Sequence, residues 1–389
     1  MDEEYKPIIT DEERATRRAQ RAEARRKKQR EKRRRLLRRL VPCGLLAVLC
    51  VGLVTVGAQL IEKPAPEMVK AERPFQVTSV ASAPAPEPYA RAVSGPDTIQ
   101  LGEDFPSRCA VLVDLDTRTV LAEKNADTVI SPASMTKVLT VLVAAEHITE
   151  AELDDTFTMT YDIIAPLIDA EASRAGFEEG ETVPLKDLMY GIALPSGADA
   201  TTAISIYLCG SEDEFVKLMN EKAEELGLEN THFTNASGLY DPNHYSTATD
   251  IAMLMSAVME NDTCREILGT YQYTTSATEQ HPKGIPLEST MFSRMYGNEV
   301  TGITIEAGKT GYTDEAGHCL VSYATDADGK QFIAVTAKGP TYWRAVFDTF
   351  AIYGLVHDGY PMPDNLAAQE TDENGSAIDP TETSTAPAA

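Results

Sequence analysis

The heptapeptide Ser-Pro-Ala-Ser-Met-Thr-Lys at residues 131–137 leads into an apolar run that continues to Ile148. Ser131 is a suitable N-cap, and Pro132 follows at the first helical position, where its missing N–H is not needed. Because the next residues are apolar on nearly every side, we predict a helix over Met135–Ile148 that is buried in the core.

Two side chains at this helix start have the chemistry of a nucleophile and its base. Ser134 falls in the first turn and Lys137 lies three residues further on, so both share one face. The start of a buried helix offers backbone N–H groups and a positive dipole end, which suit a developing oxyanion. A neutral lysine beside a serine can remove the hydroxyl proton, provided that the lysine pKa is lowered.

Two other short segments have the composition of a ligand site. Residues 194–200 read Leu-Pro-Ser-Gly-Ala-Asp-Ala and form a turn between two helical segments, with Ser196 near its centre. Residues 308–313 read Gly-Lys-Thr-Gly-Tyr-Thr and precede a strong C-terminal hairpin, on what we expect to be an edge strand. Glycines on both sides of Lys309 and Thr310 permit close approach of the backbone to an extended peptide.

Strands are predicted near both ends of the region 98–360, and helices between them. The predicted strands are Cys109–Asp114, Thr119–Glu123, His318–Ala324 and Gln331–Ala337. The predicted helices are Met135–Ile148, Leu185–Ala193, Ala198–Leu208, Glu212–Leu226, Ala252–Leu268 and Tyr342–Leu355. This order indicates an α+β domain, in which one sheet is built from both chain ends and an inserted helical lobe meets it at a cleft.

The three segments are far more specific together than any one of them alone. A Ser-x-x-Lys, a Ser-containing turn 62 residues on and a Lys-Thr-Gly another 113 residues on follow the motif order of penicillin-interacting serine enzymes. The chain resembles the serine D-alanyl-D-alanine carboxypeptidases, which are low-molecular-mass penicillin-binding proteins. The resemblance covers about residues 98–358 and extends to the segments 114–147, 180–200, 215–250 and 309–324.

The resemblance implies a β-lactamase/transpeptidase-like fold, in which an antiparallel sheet is flanked by helices and a helical lobe is inserted. It also implies three catalytic residues. Ser134 would attack the peptide bond between two D-alanines and form an acyl-enzyme that water then hydrolyses. Lys137 would be the general base for Ser134, and Ser196 would relay a proton to the leaving amine.

The third segment would bind the substrate. The resemblance assigns this role to Lys309, Thr310, Gly311 and Tyr312. Lys309 would bind the terminal carboxylate of the substrate and keep Lys137 neutral by like-charge repulsion.

The remaining groups implied by the resemblance would contact the oxyanion formed during the reaction and the terminal carboxylate of the substrate. The backbone N–H groups of Ser134 and Tyr312 would form the oxyanion hole. Arg294 and Arg344 are weaker candidates for contact with the carboxylate. No cofactor and no metal are implied, and the six histidines show no metal-ligand spacing.

One position departs from the family pattern. The second motif of the family is usually Ser-x-Asn, whereas Ala198 stands in the place of the Asn. That amide normally bridges the lysine and the acyl chain of the substrate, so its loss would slow acylation or change specificity. Asp199 lies one residue further round the turn and is badly placed to substitute for it.

The function implied first is a membrane-anchored carboxypeptidase that acts on peptidoglycan stem peptides ending in D-Ala-D-Ala and is inhibited by β-lactams. One alternative is a weakly active penicillin-binding sensor or scaffold. Ala198 favours this alternative, whereas the lack of a signalling domain beyond a short basic head argues against a sensor. A β-lactamase is the other alternative, and the carboxypeptidase-like segment 231–250 argues against it.

The N-terminal part predicts a membrane location. Residues 1–39 form a basic head, and residues 1–40 carry a net charge of +8 in a chain of net charge −25. Residues 40–61 form an apolar run. Its length matches the roughly 20 residues that a helix needs to cross a bilayer. By the positive-inside rule the head stays in the cytoplasm and the catalytic domain lies outside. The run is either an uncleaved anchor, which we favour, or a cleaved signal peptide.

The rest of the chain divides by composition. Residues 62–97 contain seven prolines and predict an extended spacer, and residues 361–389 are acidic and predict a disordered tail. The remaining residues, 41–389, are strongly acidic and would repel phosphate, which excludes one continuous nucleic-acid surface. Four cysteines outside the apolar run allow three pairings, and their spacing does not choose among them: Cys109, Cys209, Cys264 and Cys319.

Overall fold

The computed structural model describes residues 91–356, apart from residues 296, 298 and 299. The predicted head, apolar run, most of the spacer and the tail lie outside the described residues. Within the described ranges, the chain has no helix that is both long and apolar enough to cross a membrane.

The centre of the domain is a six-stranded sheet with the strand order β1-β3-β2-β10-β9-β8. Its strands are β1 (Val93–Gln100), β2 (Cys109–Asp114), β3 (Thr119–Lys124), β8 (Ile303–Thr313), β9 (Gly317–Asp326) and β10 (Gln331–Gly339). β10 pairs antiparallel with both β2 and β9, so the sheet joins the two ends of the domain as predicted.

Strand β1 corrects the sequence prediction in two ways. It runs parallel to β3, so the sheet is mixed rather than wholly antiparallel. It also begins at Val93, inside the predicted spacer. The strand is exposed along most of its length, and its register breaks between Ser94 and Ile99, around a Gly-Pro pair. Because β1 is exposed and contains Gly and Pro, its sequence has the same character as the predicted spacer before it and gives no local sign of a strand.

Two small two-stranded sheets lie beside the helices. One pairs β4 (Thr156–Thr158) with β5 (Thr182–Pro184), and the other pairs β6 (Gln272–Thr274) with β7 (Pro286–Glu288).

The helices follow the predicted order, with one prediction corrected and two short helices, Tyr161–Asp169 and Phe292–Met295, that the sequence analysis did not predict. In chain order, the helices are α1 (Lys137–His147), α2 (Tyr161–Asp169), α3 (Leu185–Ala193), α4 (Ala198–Cys209), α5 (Glu212–Glu225), α6 (Ala248–Met259), α7 (Asp262–Leu268), α8 (Phe292–Met295) and α9 (Tyr342–Gly354). The single helix predicted over Ala252–Leu268 is two helices, because Asn261 caps the second one by accepting a hydrogen bond from Cys264 N–H.

Strand β2 separates two hydrophobic clusters. Val111 and Val113 belong to the large cluster that includes α1, α6 and most of the helical lobe. Ala110 and Leu112 face the other way and join a cluster with residues of α9. All six residues of β2 are buried, which fits a strand covered by helices on both faces. The start of α1 thereby lies in the interior, between the sheet and the helical lobe.

Candidate active site

The nucleophile candidate lies in a short 3-10 turn, Ala133–Thr136, that leads directly into α1. Ser134 is half-buried, and its Oγ lies 3.1 Å from Lys137 Nζ. The structure corrects the expected cap, because Pro132 occupies the cap position and the Ser131 hydroxyl has no hydrogen-bond partner among the described residues. Ala133 adopts a φ of +47°, a strained backbone conformation immediately before Ser134.

Two glycines explain how this turn fits into the interior. A Cβ atom at Gly238 would lie 1.9 Å from Ala133 O, and Gly238 has a φ of +81°. A Cβ atom at Gly311, in the third motif, would lie 3.0 Å from Pro132 O and 3.1 Å from Ser134 N. The backbone around Ser134 is therefore enclosed by two other segments. The approach at Gly238 requires glycine, and the approach at Gly311 leaves little room for a larger residue.

Lys137 is 2% exposed and makes two hydrogen bonds at its Nζ, one to Ser134 Oγ and one to Ser237 O at 2.5 Å. Burial lowers the pKa of Lys137 to about 7, against the opposing influence of Asp199 and Glu212. A substantial share of Lys137 is thus neutral near pH 7, which is the state a general base needs.

Lys309 is 1% exposed, and its Nζ donates to Thr310 O at 3.0 Å. Its pKa lies well below the ordinary lysine value, first because of burial and then because of repulsion from Lys137 and Arg294. Repulsion from Lys137 thus contributes to the shift of Lys309, whereas the Lys137 pKa is lowered by burial. That Lys309 keeps Lys137 neutral stays a prediction.

The second motif lies next to the third one, but Ser196 stands apart from the hydrogen-bonded pair. Thr290 N donates to Leu194 O, and the Thr290 and Thr310 hydroxyls are 2.6 Å apart, which links the two segments. Ser196 has a φ of +65°, and its buried Oγ has no hydrogen-bond partner among the described residues. The structure thus brings the first and third motifs together and leaves the Ser196 hydroxyl without a bond to either.

The environment of Ala198 shows why its neighbour cannot replace an Asn. Ala198 is 2% exposed, and its backbone N–H donates to Ser173 O. The Asp199 carboxylate accepts from Ala175 N and Gly176 N at 2.7 and 3.0 Å, so it is engaged with the loop after α2.

Tyr312 lies in the third motif itself, and the two arginine candidates lie on the helices α8 and α9. The Tyr312 ring is 54% exposed, stacks on His318 at 4.3 Å and donates its hydroxyl proton to Asp314. Arg294 lies over the Tyr342 ring at 5.1 Å and is close enough to lower the pKa of Lys309. Arg344 lies in the first turn of α9.

The sequence reasoning missed one group at the site, the backbone carbonyl of Ser237. It belongs to the Asn-Ala-Ser-Gly-Leu segment at residues 235–239, which lies within the stretch 215–250 that carries the family resemblance. A backbone acceptor has no side-chain signature. The Asn-x-x-Gly pattern could have predicted a tight turn there, but not the lysine that it faces.

The remaining expectations concern cysteines and metals. The four cysteines of the domain are free thiols, so none of the three possible pairings is formed. In the part of the chain that the structure describes, there is no cluster of histidine, cysteine and carboxylate side chains suited to a metal ion.

The α+β fold and the three motifs that it brings to one side of the sheet are typical of penicillin-interacting serine enzymes. The model of the peptidase S11 family, D-alanyl-D-alanine carboxypeptidase, matches residues 96–341. The chain belongs to this family.

Two curated relatives carry the same description. The chain is 34% identical over 241 residues to D-alanyl-D-alanine carboxypeptidase DacF of Bacillus subtilis, covering 62% of this chain and 59% of that protein. It is 34% identical over 237 residues to DacA of Escherichia coli, covering 58% of this chain and 54% of that protein. The match therefore spans little more than half the length of these relatives.

Solved structures support the fold. The Streptomyces K15 DD-transpeptidase is 27% identical and superposes with a TM-score of 0.59 over 65% of this chain and 98% of its own. Penicillin binding protein 5 of Haemophilus influenzae is 25% identical, with a TM-score of 0.58 over 67% of this chain and 72% of its own. These neighbours confirm the predicted fold class.

Proposed function

We propose that this protein is a serine D-Ala-D-Ala carboxypeptidase that removes the terminal D-alanine of peptidoglycan stem peptides through an acyl-enzyme on Ser134. The observation that carries the proposal is the pair of Ser134 Oγ and Lys137 Nζ, 3.1 Å apart, with the pKa of the buried lysine lowered to about 7. Family membership supports the substrate class.

Acylation begins with neutral Lys137. Its Nζ takes the hydroxyl proton as Ser134 Oγ attacks the carbonyl carbon between the two D-alanines. The resulting oxyanion accepts hydrogen bonds from the N–H groups of Ser134 and Tyr312. The proton then passes through the Ser196 hydroxyl to the amine of the departing D-alanine, the C–N bond breaks, and water later hydrolyses the ester.

Lys309 gives this cycle its preference for a free terminal carboxylate. Two buried lysines close enough to repel each other do not both carry a proton readily. A bound carboxylate favours the charged form of Lys309, so the shared proton moves to Lys309 and leaves Lys137 neutral. Substrate binding thereby prepares the general base.

The same geometry supports inhibition by β-lactams. Attack of Ser134 on the ring amide opens the ring, but the leaving amine stays tethered to the acyl group. The tethered fragment obstructs the approach of water, so the adduct persists.

We also propose that the chain is anchored in the cell membrane with its catalytic domain outside the cytoplasm. The apolar run at residues 40–61 and the basic flank before it support this location.

The experiment that tests the function is D-alanine release from a peptide ending in D-Ala-D-Ala, using the full chain in detergent. Release is expected from the wild type and from Ser131→Ala, and none from Ser134→Ala. Ser131 is the matched control because it lies in the same segment and its hydroxyl has no hydrogen-bond partner among the described residues. Release that persists in Ser134→Ala contradicts the proposal.

A second candidate function is a weakly active penicillin-binding sensor or scaffold. The observation that favours it is the buried Ser196 hydroxyl without a partner among the described residues, two positions before Ala198. A protein that forms a Ser134-dependent penicillin adduct but releases no D-alanine would fit this function. Rapid turnover of penicillin would instead indicate a β-lactamase.

A further inference from the structure

The segment Asn235–Leu239 forms a tight turn that presents a backbone carbonyl to Lys137, and we call it the acceptor turn. Lys137 Nζ donates to Ser237 O at 2.5 Å and lies 3.1 Å from Ser134 Oγ. A neutral amine has two N–H groups and one lone pair. In the structure Lys137 also donates to Ser134 Oγ. Once Lys137 is neutral, one N–H can stay directed at Ser237 O while the lone pair takes the place of the N–H that points to Ser134, so the carbonyl sets the direction of the base.

Asn235 holds the acceptor turn with a single side chain. Its Oδ1 accepts from Ser237 N at 3.2 Å, Gly238 N at 2.7 Å and Leu239 N at 3.1 Å, and its Nδ2 donates to Leu239 O at 2.8 Å. The Gly238 N–H belongs to the same peptide unit as the Ser237 carbonyl. Asn235 therefore fixes the orientation of that peptide and polarises its carbonyl toward Lys137.

Glu212 holds the same turn from a different element. Its Oε1 accepts from Ala236 N at 2.9 Å, and on the other side Thr140 Oγ1 donates to Ala236 O at 2.7 Å. Glu212 is the first residue of α5, and Thr140 lies in α1. The acceptor turn is thus fastened to two helices, one of which carries Lys137.

We propose that Asn235 and Glu212 are positioning residues, which keep Ser237 O against Lys137 Nζ and thereby aim the lysine lone pair at Ser134. The inference rests on the proposed function, in which Lys137 is the general base. It adds two residues that do not touch the reacting atoms.

The charges that face Lys137 make the inference testable. Asp199 and Glu212 raise the Lys137 pKa, and Lys309 and His244 are the other titratable groups that interact with it. Asn235→Asp keeps an acceptor oxygen and adds a negative charge. Glu212→Gln keeps an acceptor oxygen and removes a negative charge. These changes of charge should shift the Lys137 pKa in opposite directions. The loss of the acceptor turn itself should instead lower the rate at which neutral Lys137 reacts.

The experiment is the acylation rate of the full chain with a fluorescent penicillin between pH 5 and 9. The rate should rise with pH as Lys137 loses its proton. The midpoint of this rise should move up by roughly one pH unit in Asn235→Asp and down by a comparable amount in Glu212→Gln. Asn235→Ala, which removes the cap, should lower the plateau rate about 10- to 100-fold.

Glu214→Gln is the matched control. Glu214 lies in the same first turn of α5, is 56% exposed and pairs with Lys217 instead of the acceptor turn. Its substitution removes the same charge from the same helix end and should leave the midpoint unchanged. A merely structural role for Asn235 would lower the amount of folded protein in Asn235→Ala and leave the plateau rate per folded molecule unchanged.

A second readout separates this inference from the proposed function. The Lys137 side-chain nitrogen can be titrated by NMR in 15N-lysine-labelled protein, with Lys137→Met to assign its signal. A changed Lys137 titration in Asn235→Ala, which alters no charge, supports the positioning role even if the wild type is never acylated. A Lys137 titration and a plateau rate that both stay unchanged in Asn235→Ala overturn it while leaving the carboxypeptidase intact.

Discussion

The two sides of the candidate site differ in how fully their polar groups are paired. On the side of Lys137, the lysine bonds both the nucleophile and Ser237 O, and the acceptor turn is held by Asn235. On the side of Ser196, a buried hydroxyl has no partner among the described residues, and an alanine stands where the family usually has an amide. In the proposed mechanism, this difference means that Lys137 is oriented before substrate arrives, whereas the Ser196 hydroxyl is not.

The largest expected effect comes from disturbing the paired side at Gly238. Gly238→Ala places a Cβ atom 1.9 Å from Ala133 O at a φ of +81°, so the acceptor turn must move away from Ser134. We expect a loss of at least about 3 kcal/mol in the free energy of unfolding. Penicillin acylation should fall together with stability. Urea denaturation and the acylation rate measure the two effects.

Gly311→Ala is the comparison for this prediction. Its Cβ atom would meet Pro132 O at 3.0 Å and Ser134 N at 3.1 Å, which are tight contacts without a positive φ. We expect a loss of only about 1 kcal/mol, with a clear reduction in acylation. Equal destabilisation by the two substitutions would show that the acceptor turn is not the more tightly held segment.

The same contrast explains how much the sequence could predict. The bounds of α3 are identical to the predicted Leu185–Ala193, and those of β2 to Cys109–Asp114, because strong periodicity lies between clear breakers. The Ser-x-x-Lys pair was placed correctly on one face because helical spacing fixes it. These features depend on side chains that are close in sequence.

The features that escaped prediction depend on contacts that are distant in sequence. Strand β1 is exposed and joins the sheet only through parallel pairing with β3. The Ser237 carbonyl reaches Lys137 across 100 residues of chain. Neither a parallel edge strand nor a backbone acceptor leaves a local pattern, so only the folded chain reveals them.

A smaller effect is expected from His244, which also lies on the paired side. Its Nδ1 accepts from Thr234 N at 3.1 Å, so its Nε2 carries the proton and donates to Thr136 Oγ1 at 2.7 Å. His244 thus connects the segment before the acceptor turn to the residue before Lys137. Burial lowers the pKa of His244 to about 4.

This lowered pKa predicts the direction of acid destabilisation. Between about pH 6.5 and 4 the unfolded chain binds a proton at His244 that the folded chain does not, so stability falls as the pH falls. His318, with a pKa of about 4, acts in the same direction, and Asp348, with a pKa raised to about 6, acts in the opposite one. His244→Gln should flatten the dependence by roughly 1–3 kcal/mol across this range.

Urea denaturation at pH 4.5, 5.5 and 7 measures this prediction. The control is His147→Gln, which removes an exposed histidine at the end of α1 that is remote in sequence from His244. If both variants keep the slope of the wild type, the buried histidine does not contribute to acid destabilisation, and the bond to Thr136 would have to be maintained by a charged ring.

The smallest expected effect comes from supplying the unpaired side with a partner. Ala198→Asn restores the family's usual amide two positions after Ser196, at the first residue of α4. The amide can bond the Ser196 hydroxyl and the acyl chain of the substrate, so acylation should rise by about 3- to 10-fold, which corresponds to roughly 1 kcal/mol in the barrier. Because Ala198 is 2% exposed, the larger side chain should also cost about 1 kcal/mol of stability.

The double variant Ser196→Ala with Ala198→Asn separates the bond to the Ser196 hydroxyl from the bond to the acyl chain. A gain in rate that survives loss of the hydroxyl would come from the bond to the substrate alone. An unchanged rate in Ala198→Asn would mean that the relay is already as effective as the base it serves, and the difference between the two sides would then have no catalytic consequence.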